Sequence, residues 1–144
     1  KNRDANDACV LTGKIVTGDG EAVFFTQLDW VQEQCKTKLG FKPYPGTLNL
    51  EINKEKWPVI ETLKDEEGIT LIPPDPKFCV GRALPLTVGG VRGALIIPSE
   101  DVNIHGKNVL EVMAPVRLKD ALGVGDGDSV TLDVRRPMSS ERRK

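Results

Sequence analysis

The sequence predicts an all-β fold, a small closed barrel with one main α-helix and a few short helical turns. Three observations carry this expectation. The 14 glycines and 10 prolines cut the chain into intervals that are mostly strand-sized. Sustained helical spacing is confined to residues 29–39, too little helix to alternate with strands in a doubly wound parallel sheet. Many short strands are then best accommodated by closure, which removes exposed edges.

In chain order, residues 9–16 read as the first strand and Thr17-Gly18-Asp19-Gly20 as a small-residue turn. Residues 22–28, rich in branched and aromatic side chains, read as a return strand. Asp29 then serves as a helix N-cap, Val31, Cys35 and Leu39 recur at helical spacing, and Gly40 supplies the stop. After the turn Lys42-Pro43-Tyr44-Pro45-Gly46 the period becomes two: Leu48, Leu50 and Ile52 face one way, Thr47, Asn49 and Glu51 the other. Residues 58–66 predict a short helix with proline in its first turn. Strands follow at 69–72, 77–88 and 91–97, the last two joined by Gly89-Gly90, a strong hairpin signal. A polar loop with Glu100, Asp101, Asn103 and His105 leads into a strand at 109–114. Residues 117–122 form one helical turn closed by Gly123, and the turn Gly125-Asp126-Gly127-Asp128 feeds a last strand at 129–134.

At 144 residues the chain fits a single domain, 1–144, with an ordered core of about residues 8–136 and loose ends outside it. Hydrophobic residues at 39% and charged residues at 28% are values of a soluble globular protein. With 20 basic side chains against 21 acidic ones, the net charge of −1 argues against a general nucleic-acid binder. The cationic end, Arg135-Arg136 and Arg142-Arg143-Lys144, reads as a solvated tail. Cys9, Cys35 and Cys79 lack CxxC spacing, which suits free thiols in a reducing cytoplasm. No apolar run approaches a membrane span, and the first residues are too polar for a signal peptide. With His105 the single histidine, a multi-histidine metal centre is excluded.

Three segments are able to carry chemistry. In Pro45-Gly46-Thr47-Leu48-Asn49-Leu50, Thr47 and Asn49 share a strand face with Cα atoms roughly 6.5–7 Å apart. A hydroxyl and a carboxamide oxygen at that separation can converge on one hard cation, and magnesium needs few protein ligands. On spacing alone, an ordinary amphipathic strand with polar residues toward solvent explains the pair more simply. Thr17-Gly18-Asp19-Gly20-Glu21 can bring backbone N–H groups to phosphates, but it is neither a Walker A loop nor a dinucleotide fingerprint. Without other evidence, a plain hairpin turn is the better account of it. Glu111, within Val109-Leu110-Glu111-Val112-Met113, lies opposite the core face if Leu110 and Val112 point inward. There it meets a partly apolar ligand or simply solvent. His105 in its polar loop reads as a solvated side chain.

Taken together, four segments resemble one family. Gly13-Lys14-Ile15-Val16-Thr17-Gly18-Asp19-Gly20-Glu21, the stretch Leu39-Gly40-Phe41-Lys42-Pro43-Tyr44-Pro45-Gly46-Thr47-Leu48-Asn49-Leu50, VLEVMAPVRLK at 109–119, and the Gly-Asp-Gly-Asp turn occur in that order. Over residues 13–134 the chain resembles the archaeal-type CTP-dependent riboflavin kinases, with PYPGTLNL the most specific motif. The resemblance implies a six-stranded cradle-loop barrel that moves the γ-phosphate of CTP onto riboflavin, giving FMN and CDP. It implies Mg²⁺ held by Thr47 and Asn49, and nucleotide contacts from Thr17, Gly18, Asp19, Gly20, Glu21 and Ala22. A second nucleotide segment is Val116, Arg117, Leu118 and Lys119, and the flavin contacts are Glu111 and Asn103. Ala22 stands where the family has glycine, and Asn103 where it has threonine. Phosphoryl transfer relies on positioning and charge neutralisation; Glu111 is the candidate to orient or deprotonate the attacking hydroxyl, with Glu21 its rival. A monomer is expected, with no nucleic acid or membrane partner. Small barrels with this Gly-Asp turn also resemble swapped-hairpin transcription factors, so a non-catalytic binding module is one alternative. The same kinase using ATP is another.

Overall fold

The computed structural model describes residues 8–18, 21–64, 68–74, 81–97 and 109–135. Among these are seven strands: β1 (Ala8–Val16), β2 (Leu48–Ile52), β3 (Ile69–Leu71), β4 (Gly81–Val88), β5 (Val91–Ile97), β6 (Val109–Met113) and β7 (Ser129–Arg135). The helices are α1 (Glu21–Gln27), α2 (Asp29–Lys38), α3 (Trp57–Lys64) and α4 (Leu118–Leu122), with a 3₁₀ turn at Lys54–Lys56 before α3. Residues 1–7 and 137–144, 77–80 of the predicted strand, 65–66 of the predicted helix, Cys79 and the loop with Asn103 and His105 lie outside the described residues.

All pairings are antiparallel, in the order β3-β4-β5-β6-β2-β1-β7, and a further β4–β7 pairing closes six strands into a barrel. The predicted barrel is therefore what the chain builds, with β3 outside the ring. Alternation fills its interior. On β2, Leu48, Leu50 and Ile52 are buried while Glu51 is exposed, and Leu11, Ile15, Leu84, Leu95, Val112, Leu132 and Val134 join them in one core. Burying each such side chain contributes about 1.5–3 kcal/mol. The Gly89-Gly90 hairpin has φ of 57° and 85°, values that a two-residue turn matching strand twist requires.

Proline in a mid-sheet strand needs an explanation, and β4 contains Pro85. On one side β4 pairs with β5 throughout, Pro85 opposite Ala94. On the other side it pairs β3 through Gly81–Ala83 and β7 through Leu86–Val88. Pro85 sits where the strand changes neighbours, so its missing N–H costs no ladder bond there.

Two local expectations fail. Residues 22–28 are not a strand: α1 covers Glu21–Gln27. The strands next to them in sequence have both edges occupied, β1 by β2 and β7, and β2 by β1 and β6, so a return strand had no ladder to join. Branched and aromatic composition was overridden by tertiary context. Phe25 instead meets Trp30 edge-on, ring centroids 6.0 Å apart. The N-cap of α2 is Leu28, extended at φ −62° and ψ 137° with no side-chain cap bond, not Asp29. Asp29 occupies the first turn, where its charge faces the positive helix end. α2 buries Val31, Cys35 and Leu39 against Leu71, Ala83, Ala94 and Met113, a second core on the outer wall. Burial pushes the Cys35 thiol up to about 11, which keeps it protonated.

Candidate functional site

One row of residues crosses the outer face of the barrel. Val16 of β1 pairs with Asn49 of β2, Asn49 with Glu111 of β6, and Glu111 with Ile96 of β5. Directly opposed side chains in an antiparallel sheet share a face, their Cβ atoms about 4.5–5.5 Å apart. Leu110 and Val112 are buried, so Glu111 does point away from the core and is exposed. Just before β2, Thr47 turns to the same side and its Oγ1 donates to Asn49 Oδ1 at 3.2 Å. The chain leaving β1 then closes over this pair. A Cβ on Gly18 would lie 2.1 Å from Asn49 Nδ2, so only glycine fits against that carboxamide.

The segment presenting Thr47 is pinned from three directions. Gly46 N–H donates to Thr26 Oγ1 (2.8 Å), Tyr44 N–H to Ala114 O (2.7 Å), and Gln32 Nε2 to Pro43 O (2.9 Å). Thr26 is fully buried and its hydroxyl hydrogen is spent on Val23 O at 3.2 Å, leaving its oxygen free to accept. Helix α1 thus supplies the prop for the loop. Between this loop and the start of α4 runs a cleft of about 210 Å³, lined by Tyr44, Thr47, Val112, Val116, Arg117 and Lys119 among others.

Across the mouth of that region, Asp126 accepts from Thr17 Oγ1 (2.5 Å) and from Lys119 Nζ (2.8 Å). The Lys119 bond, then the Thr17 bond, hold its carboxyl below the usual carboxylate range. Arg117 pairs with Asp120 at 2.8 Å on the surface of α4, a contact worth little by itself. Gly123 closes α4 with φ 67°, as the sequence predicts, while Val124 N–H returns to Lys119 O.

A family model named CTP-dep_RFKase, described as the domain of unknown function DUF120, matches residues 15–134. The chain belongs to this family. It is 37% identical to a riboflavin kinase of Archaeoglobus fulgidus over 127 residues, 86% of this chain and 54% of that protein. It is 36% identical to riboflavin kinases of Pyrobaculum arsenaticum and Thermococcus kodakarensis, over 86% and 87% of this chain and 60% and 58% of theirs. The chain therefore spans somewhat more than half the length of these relatives.

The structure brings together a good part of the residue set expected of this family. Gly18, Thr47, Asn49 and Glu111 meet at the middle of the row, Thr17 leads into Gly18 while bonding Asp126, and Val116, Arg117 and Lys119 line the cleft beside Thr47. Leu118 turns its side chain into the core, so a ligand meets it only through the backbone. Glu21 and Ala22 open α1 instead of belonging to a loop. Asp19, Gly20 and Asn103 lie outside the described residues. Among the described residues no cluster of three His, Cys, Asp or Glu side chains suits a metal. The Thr47–Asn49 oxygens do suit one: adjacent corners of a magnesium octahedron with bonds of about 2.0–2.1 Å lie about 2.9 Å apart, close to the 3.2 Å seen. Sequence reasoning missed Thr26, Gln32 and Asp126. Asp126 was visible only as part of a turn, and nothing local marks Thr26 or Gln32.

Proposed function

We propose that this chain is a CTP-dependent riboflavin kinase, transferring the γ-phosphate of CTP to the 5′-hydroxyl of riboflavin to give FMN and CDP. The observation carrying this reading is the convergence of Thr47 and Asn49, beneath Gly18 and beside Glu111, in a chain whose relatives are riboflavin kinases. Thr47 Oγ1 and Asn49 Oδ1 hold Mg²⁺, which neutralises and orients donor phosphate oxygens when bound. Backbone N–H groups of the Thr17–Gly18 segment donate to the phosphate oxygens, because glycine lets a ligand approach the main chain. Lys119 and Arg117, at the cleft, offset phosphate charge.

The ribityl oxygen attacks phosphorus in line; that O–P bond forms as the bond to the β–γ bridging oxygen breaks, and CDP leaves with the electron pair. Glu111 orients the hydroxyl and takes its proton, while Ile96 across the ladder offers an apolar neighbour for the flavin. The reaction belongs in the cytoplasm, where the buried Cys35 stays a thiol, and proceeds in a monomer. No helix among the described residues is long and apolar enough to cross a membrane.

A nucleotide panel with riboflavin, scoring FMN formation, tests the reading directly. CTP should outperform ATP and GTP. Thr47→Ala and Asn49→Ala should each lower kcat/KM by at least about tenfold at limiting Mg²⁺, with partial recovery as Mg²⁺ rises. Undiminished turnover in both variants removes the metal site, and FMN formation from ATP alone removes the CTP assignment.

A further inference from the structure

The Gly125-Asp126-Gly127-Asp128 turn is built as a rigid support. Gly125 N–H donates to Asp128 Oδ2 (2.8 Å) and Asp128 N–H to Gly125 O (3.0 Å). Its backbone is also tied to the end of β1: Gly127 N–H donates to Ile15 O and Ile15 N–H to Asp128 O, both at 2.8 Å. Ile15 lies two residues before Thr17, so the turn and the root of the Thr17–Gly18 segment form one braced piece. Lys119 comes from elsewhere, the first turn of α4, which the buried Leu118 anchors to the core.

Asp126 spans the gap between these two pieces with one carboxylate, Oδ2 to Thr17 and Oδ1 to Lys119. We infer that Asp126 is a positioning residue for the nucleotide, holding the Thr17–Gly18 segment and Lys119 at a fixed separation before the phosphates arrive. The inference rests on the kinase reading above. Donor arithmetic keeps Asp126 out of direct contact. Lysine has three N–H donors, so Lys119 keeps its bond to Asp126 with two left for an anion. The Thr17 hydroxyl has one hydrogen, already spent, so Thr17 meets phosphate through its backbone N–H. A bare carboxylate would repel phosphate; paired with Lys119 and Thr17, its charge is offset and its effect is order rather than attraction.

Asp126→Ala and Asp126→Asn separate the parts of this argument. Losing the order of one or two side chains corresponds to a weakening of roughly three- to tenfold for each. By calorimetry with CDP and Mg²⁺, Asp126→Ala should raise Kd about tenfold, leaving riboflavin affinity, read by fluorescence quenching, within about twofold. Asp126→Asn keeps an acceptor for Thr17 but loses the charge pair, and should fall between Ala and wild type. In ligand-free protein, backbone ¹⁵N order parameters at Thr17 and Gly18 should fall in Asp126→Ala with little change in the barrel strands.

Unchanged or tighter CDP binding in Asp126→Ala would overturn the inference, as would equal weakening of CDP and riboflavin. Unaltered order parameters at Thr17 and Gly18 would overturn it without any ligand. A wild-type chain that binds neither CDP nor CTP would instead fail the kinase reading, and the order parameters would still judge the brace.

Discussion

Gly18→Ala addresses the site through its tightest contact. The added Cβ would lie 2.1 Å from Asn49 Nδ2 and 2.9 Å from its Cγ. Regaining an ordinary separation near 3.4 Å requires the carboxamide to retreat by about 1.3 Å. Such a move takes Oδ1 out of its 3.2 Å contact with Thr47 Oγ1 and separates the two proposed metal donors. Misplacing a reacting constellation by about 1 Å costs on the order of 10²-fold in rate. We therefore expect kcat/KM for FMN formation to fall about 100-fold at limiting Mg²⁺, followed by chromatography with flavin fluorescence. Stability should change little, with Tm within about 3 °C of wild type, because Gly18 is exposed and the displaced atoms end a flexible side chain. Gly81→Ala, whose Cβ would meet nothing within 4 Å, is the control. A Gly18→Ala enzyme within about threefold of wild type would refute the reasoning. So would a loss matched by a large drop in Tm.

Two further substitutions probe the base and the prop. Glu111→Gln should lower kcat by about 10²-fold while the CTP KM stays within about twofold; a rise confined to the riboflavin KM would assign Glu111 to binding instead. Thr26→Val leaves the N–H of Gly46 and the carbonyl of Val23 without their partner hydroxyl, at a cost of about 1–3 kcal/mol. Calorimetry should show Tm lower by about 3–10 °C, with a higher Mg²⁺ requirement because Thr47 follows Gly46 directly.

Much of the barrel was legible because its signals are local. The alternation Leu48-Asn49-Leu50-Glu51-Ile52 assigns faces without reference to any partner strand, and Gly89-Gly90 and Gly123 mark turns that their own dihedrals demand. The same alternation placed Thr47 and Asn49 on one face, and the family resemblance supplied the reason to care. What stayed hidden depends on who the neighbours are. Val23-Phe24-Phe25-Thr26 looks like strand by composition, and only the full occupancy of β1 and β2 makes it helix. Thr26 and Gln32 acquire their roles from carbonyls and amides of a loop further along the chain. Asp126 reads as turn chemistry until folding delivers Thr17, 109 positions away, to its carboxylate.

Pro85 also bears on how the chain avoids its own mistakes. A one-residue slide of β4 would turn the imide nitrogen toward a β5 carbonyl, forfeiting a bond and turning Leu84 and Leu86 outward together. A second molecule lending its own β4 would face the identical mismatch unless it aligned in the native frame. The proline thus acts as an index mark along the strand, fixing its frame whichever molecule supplies it.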